Sequence, residues 1–209
     1  MKLLVLGATG LVGRHVLALS LEDARVEAVI APARRALPAH PKLTAPVVDF
    51  DRLPADADWW CADAVICALG TTIRAAGSRA AFRKVDHDYP LAVARAAKAR
   101  GASTFVLISA MSADPASRFF YSRVKGEVER DLAALGLRSL TLVRPALIGG
   151  ERSEPRPAER AGSAVLGLLR PLLPMALRIN PARRIARAAL EAALAGLPGT
   201  RVIRSAELT

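Results

Sequence analysis

The chain has 209 residues, enough for one domain with a real core. Hydrophobic residues make up 52% of it and charged residues 23%, which excludes an intrinsically disordered chain, and its 2 cysteines exclude a disulfide-stapled miniprotein. The formal charge of +11 raises nucleic-acid binding, but all except five of the 30 basic residues are arginines scattered along the chain, and aromatics are only 4%. Neither a basic patch nor a stacking platform for bases is therefore expected.

The apolar opening, residues 1–6, stops at Gly7 and is too short for a secretory h-region. A longer apolar tract, residues 164–179, is interrupted by Arg170, Pro171 and Pro174 and makes a poor membrane span. With Cys61 and Cys67 close together on one strand approach, the expectation is a reduced, cytoplasmic compartment.

In chain order, short apolar runs at residues 2–6, 26–31, 46–48, 64–68, 104–108, 140–143 and 201–203 read as strands. Their near-continuous Val, Ile and Leu points to strands covered on both faces, as in a parallel sheet. Helical patterns lie between them at residues 11–20, 89–100, 121–135 and 181–194. Gly101 and Gly136 fall where two of these helices should end, and Pro181 suits the first turn of the last. Strand–helix alternation predicts a single α/β domain over residues 1–209, with a doubly wound parallel sheet. The Pro- and Arg-rich stretch at residues 149–180 breaks the pattern and reads as a small lid or cap over the carboxyl ends of the strands.

Two motifs carry chemistry. The first strand runs into Gly7-Ala8-Thr9-Gly10-Leu11-Val12-Gly13 and then a helix. Glycines at this spacing permit a tight turn, backbone approach to a pyrophosphate and close helix–strand packing, with helix amides facing the phosphates. The reading is a dinucleotide site. The second strand ends with no carboxylate for a ribose hydroxyl; it offers Arg34 and Arg35, which suit a 2′-phosphate, so NADP(H) is favoured over NAD. Asp49, after the third strand, is placed to reach an adenine amino group.

The second motif is Tyr121 and Lys125, four residues apart on one helix face, following the fifth strand and its Ser109. A phenol ordinarily titrates near pH 10, and a neighbouring ammonium favours the phenolate for proton exchange with a carbonyl or alcohol oxygen. No Cys/His cluster has metal-ligand spacing, and no G-x-S-x-G elbow is present. His15, His40 and His87 are isolated, and Trp59-Trp60 reads as packing.

These residues, with Arg144-Pro145-Ala146, resemble the short-chain dehydrogenase/reductase superfamily. More narrowly, the chain resembles the atypical branch that includes the Tat-interacting-protein oxidoreductases, through Arg34-Arg35 and residues 47–50, 67–72, 85–89, 119–129 and 152–159. The resemblance spans most of the chain, from Met1 to about Pro174. It implies a Rossmann fold, bound NADPH and a reductase activity on a small-molecule substrate. It further implies that Leu69, Gly70 and Thr71 border the cofactor, and that backbone at Pro145 and Ala146 meets the nicotinamide amide. Where many members carry the serine that polarises the substrate oxygen, this chain has Ala110; Ser109 and Ser112 flank it as substitutes. Asp86 stands where many members carry a helix asparagine. An epimerase- or dehydratase-like enzyme and a non-catalytic NADPH sensor are the competing functions, and a homo-oligomer is compatible with each.

Overall fold

The computed structural model describes residues 1–149 and 179–209. Nearly all of the expected lid, and the motif stretch at residues 152–159, lie outside the described residues. The elements in order are β1 (Lys2–Leu6), α1 (Gly13–Glu22), β2 (Ala28–Ile30), β3 (Leu43–Thr44), β4 (Ala64–Cys67), α2 (Ile73–Ala76), α3 (Arg79–Arg83) and α4 (Tyr89–Ala99). They continue with β5 (Thr104–Ile108), α5 (Phe120–Ala133), β6 (Ser139–Arg144), β7 (Ile148–Gly149), β8 (Asn180–Pro181), α6 (Ala182–Ala195) and β9 (Gly199–Arg204).

Seven strands form one sheet in the order β3-β2-β1-β4-β5-β6-β9, every pair parallel, while β7 and β8 make a separate short pair. The order reverses between β1 and β4, the point where open α/β sheets bind ligands. Alternate residues of each strand enter opposite cores. Leu3, Val5, Ile66, Val106 and Val143 pack with Val16 of α1 and Ile185, Ala189 and Leu190 of α6. Leu4, Leu6, Val65, Phe105, Leu107 and Leu142 pack with Leu91 and Ala94 of α4 and Val128 and Leu132 of α5. Each fully buried Leu, Val or Phe contributes about 1.5–3 kcal/mol, which makes this two-sided burial the main support of the sheet.

Three details differ from the sequence reading. The third strand lies at Leu43–Thr44, with only an isolated bridge from Ala33 to Val47 where a strand at residues 46–48 was expected. Pro46 has no N–H to give a ladder, so only its carbonyl is used, accepting from Ala33 N–H at 3.0 Å. Pro181 caps α6 from an extended conformation (φ −62°, ψ 131°) and the helix starts one residue later. Finally, β9 is an exposed edge, so its side chains are not covered on both sides.

Before α4, where the sequence pattern was silent, Arg79 starts a helical run whose Lys84–Asp88 segment is a π-helical turn. The wider turn shifts the helix face by about one residue, and consecutive Asp86 and His87 are both buried. Ser78 caps α3, its hydroxyl accepting from Ala81 N–H at 3.1 Å.

Candidate active site

The corner between β1 and α1 is shaped by contacts that only glycine permits. Gly7 has φ +75°, and a Cβ there would lie 2.6 Å from the Ala68 carbonyl oxygen. At Gly13 a Cβ would sit 1.9 Å from the Gly7 carbonyl oxygen. Gly10 N–H donates to Gly7 O at 2.9 Å, closing the turn. Helix α1 then opens at Val12 without a side-chain cap and without an acidic residue in its first turn. Its positive end is left to an anion, and the narrow cradle fits a diphosphate lying against backbone.

Beside this corner, the Ala33–Val47 bridge brings two strand exits together. Val48 N–H donates to Ala33 O at 2.9 Å, so Arg34 and Arg35 leave one strand as Asp49 leaves the next. All three side chains are exposed. Arg34 and Asp49 both lie near enough to Tyr89 to act on its phenol, which is pushed up to about 12 by burial and by donating to Asp51. Lys84 Nζ lies 2.7 Å from Asp51 Oδ1, fastening the Asp49–Asp51 loop to the helical run. Lys84, Asp51 and Tyr89 escaped the sequence reading, since nothing in residue spacing links position 51 to positions 84 and 89.

Gly7 also connects the two motifs. The Ala68–Leu69 backbone that excludes a side chain at Gly7 leads to Gly70, where a Cβ would lie 3.5 Å from Asp86 Oδ1 and 3.9 Å from Lys125 Nζ. Asp86 Oδ1 is 2.7 Å from Lys125 Nζ, and Asp86 Oδ2 accepts from Thr71 N–H at 2.9 Å. Burial opposes the Lys125 ammonium, yet the Asp86 carboxylate holds its pKa above the usual lysine value. Tyr121, 37% exposed, lies one helical turn before Lys125 with its ring centroid 5.6 Å from that of Phe82. Cys67, beneath the pair, is kept a thiol by burial, which pushes it up to about 12.

The serines part company. Ser109 is buried and donates to Glu129, which also accepts from Arg144 Nε at 3.0 Å. The bond to Glu129 raises the Arg144 pKa against the opposing effect of burial. Ser112 is exposed on the following loop, where Met111 N–H donates to Pro145 O at 2.9 Å. That loop rests on Gly126 of α5, where a Cβ would be 2.1 Å from Pro115 N. The Ala146 N–H donates to Asn180 Oδ1 at 2.8 Å, so that part of the backbone expected at the nicotinamide is engaged within the protein. Fully buried Asn180 also donates from Nδ2 to Ser205 O and accepts from Ser205 Oγ, each at 2.9 Å. Glu129 and Asn180 escaped notice in the sequence because their partners are long-range.

A glycine corner beside a Tyr–Lys helix face, on a parallel doubly wound sheet, defines a Rossmann-type dinucleotide-binding fold. The chain belongs to the NAD(P)H-binding family whose model matches residues 7–164. It is similar to "Protein fmp52, mitochondrial" of Aspergillus fumigatus, 39% identical over 178 residues that cover 78% of this chain and 74% of that one. "Protein FMP52, mitochondrial" of Saccharomyces cerevisiae is 37% identical over 174 residues, 79% of this chain and 73% of the relative. Among solved structures, MoeE5 in complex with UDP-glucose and NAD has a TM-score of 0.75 at 18% identity, covering 97% of this chain and 75% of that chain. UDP-N-acetylglucosamine 4-epimerase from Bacillus cereus has a TM-score of 0.70 at 18% identity, covering 98% of this chain and 78% of that chain. Both likenesses are of fold.

The expected cytoplasmic compartment is overturned by the relatives, which are named as mitochondrial proteins. Free thiols at Cys61 and Cys67 bear on redox state alone, and do not separate one thiol-reducing interior from another. Among the described residues no helix is long and apolar enough to cross a membrane.

Proposed function

We propose that this protein is an NADP(H)-dependent oxidoreductase acting on a carbonyl or alcohol group, in a mitochondrial setting. One observation carries the reading: Gly7 abuts the Ala68–Leu69 backbone, and Gly70 just beyond it borders Asp86 and Lys125, so an anion cradle lies beside the Tyr121–Lys125 helix face. When bound, the coenzyme supplies hydride chemistry at its nicotinamide. The backbone of residues 7–13 cradles the diphosphate against the start of α1, Arg34 and Arg35 grip the 2′-phosphate, and Asp49 meets the adenine edge. Leu69, Gly70, Thr71, Pro145 and Ala146 wall the nicotinamide end. Tyr121 exchanges a proton at its phenol oxygen, and Lys125 turns its ammonium to the ribose and to Tyr121. Ser112 meets the substrate oxygen, because the Ser109 hydroxyl is committed to Glu129.

The test is NADPH oxidation with a panel of aldehydes, ketones and quinones. Turnover should fall by about a hundredfold or more in Tyr121→Phe with NADPH affinity retained, in keeping with loss of a general acid–base group. Tight NADPH binding without turnover of any candidate refutes the catalytic part. The engagement of Ser109 by Glu129 favours that second reading, a cofactor sensor whose NADPH occupancy governs a partner.

A further inference from the structure

The π-helical turn sets Asp86 against α5 in a position that a regular helix would not give it. Asp86 is 1% exposed and Lys125 is 4% exposed, so neither charge is solvated on its own. Each oxygen of the carboxylate has one task. Oδ1 faces Lys125 Nζ at 2.7 Å, and Oδ2 takes the Thr71 N–H at 2.9 Å. The carboxylate thus ties the β4–α2 corner to α5 beside Gly70, where no side chain intervenes. His87, the next residue, holds the same turn to α5 with Nε2 3.0 Å from Asp131 Oδ2.

We infer that Asp86 is a positioning residue: it keeps Lys125 charged and aimed, and locks the β4–α2 corner at Thr71 to it, so that lysine and corner meet the cofactor ribose as one rigid unit. The inference rests on the dinucleotide reading above for the identity of that ribose. Asparagine at this position would still accept from Thr71 but would carry no charge, so Asp86→Asn separates the two tasks, whereas Asp86→Ala removes both. A buried ammonium without its carboxylate is destabilised relative to the neutral amine. The charged and titratable groups that face Lys125 are Asp86 from the π-helical turn, Tyr121 from its own helix and Cys67 from β4.

The chain contains few lysines, which makes a side-chain Nζ–Hζ correlation spectrum tractable. In the wild type, the Lys125 ammonium should persist above the usual lysine range; in Asp86→Asn it should titrate at least about two units lower. Calorimetry with NADPH gives the second readout. Wild-type affinity should be flat between about pH 7.5, above the titration of the 2′-phosphate, and pH 9; that of Asp86→Asn should fall about threefold or more across that range, and Asp86→Asn with Lys125→Met should be flat again. A Lys125 signal in Asp86→Asn that titrates as in the wild type, or equal and flat affinities, overturns the inference. Should Asp86→Asn fail to fold, recovery of the fold on adding Lys125→Met supports the pairing, and a double variant no better folded counts against it. Wild-type protein that binds no NADPH sinks the functional reading instead, while the lysine spectrum still tests the ion pair.

Discussion

Replacing Gly13 with alanine is the sharpest test of the anion cradle. The new Cβ would lie 1.9 Å from Gly7 O, 2.6 Å from Gly7 C and 3.1 Å from Ala8 Cα, all backbone atoms that cannot rotate away. Reaching ordinary contact requires the corner to open by about 1.5 Å, a backbone shift of the kind that costs about 1–3 kcal/mol. Alanine's better helix propensity returns less than about 1 kcal/mol at a first-turn position. The net loss, about 2 kcal/mol, should lower Tm by about 4–8 °C in a chain of this size. Opening the corner also distorts the cradle proposed to hold the diphosphate, so NADPH affinity should fall tenfold or more, equal to about 1.4 kcal/mol. Gly101→Ala is the control: φ there is +97° but nothing lies within 4 Å of the added Cβ, so only backbone strain of about 1–2 kcal/mol applies and NADPH binding should be untouched. Differential scanning calorimetry with and without NADPH measures both effects. Gly13→Ala protein that melts and binds as the wild type does would show that the corner is not a tight cradle.

Other outcomes follow from the same geometry. Arg34→Ala with Arg35→Ala should raise the KM for NADPH about tenfold or more and leave that for NADH within about twofold, as expected from losing charge-assisted contacts to a 2′-phosphate. Equal effects on both coenzymes would remove the arginines from that role. Glu129→Ala strands the Ser109 hydroxyl and Arg144 together and should cost about 2–4 kcal/mol in urea unfolding; a cost under about 0.5 kcal/mol would mean the network contributes little. Cys67 is raised from an ordinary 9.0 to about 12 by burial, so the folded state holds this proton more tightly than the unfolded state does. That stabilisation is complete below about pH 9 and is lost as pH rises towards about 12; Cys67→Ala should flatten the alkaline decline of the urea midpoint, and an unchanged slope would exclude Cys67 as its source.

How much was legible beforehand depended on the range of each interaction. The β1–corner–α1 unit is written in 13 contiguous residues, and the structure reproduces β1 to the residue. The Tyr121–Lys125 face was legible because helical spacing alone sets it. The Asp86 partner was not, since a π-helical turn breaks the 3.6-residue rule by which a helix face is read. The fate of Ser109 was equally hidden, because Glu129 reaches it from across the core, 20 positions along the chain. The third strand went astray at Pro46: its apolar neighbours Val47 and Val48 look like a strand, but the missing N–H limits pairing to a bridge. The compartment was misread because no composition signal tells one reducing organelle from another.

The position of α6 has a consequence for biosynthesis. Its Ile185, Ala189 and Leu190 join Val16 of α1 over the same face of the sheet, and β9 follows to pair with β6. A nascent chain that has reached only β6 therefore has α1 over part of this face but leaves apolar surface around Ile66 and Val106 without its α6 partners. Residues 182–204 must emerge before that face can close, so packing of this layer is complete only when synthesis is nearly finished.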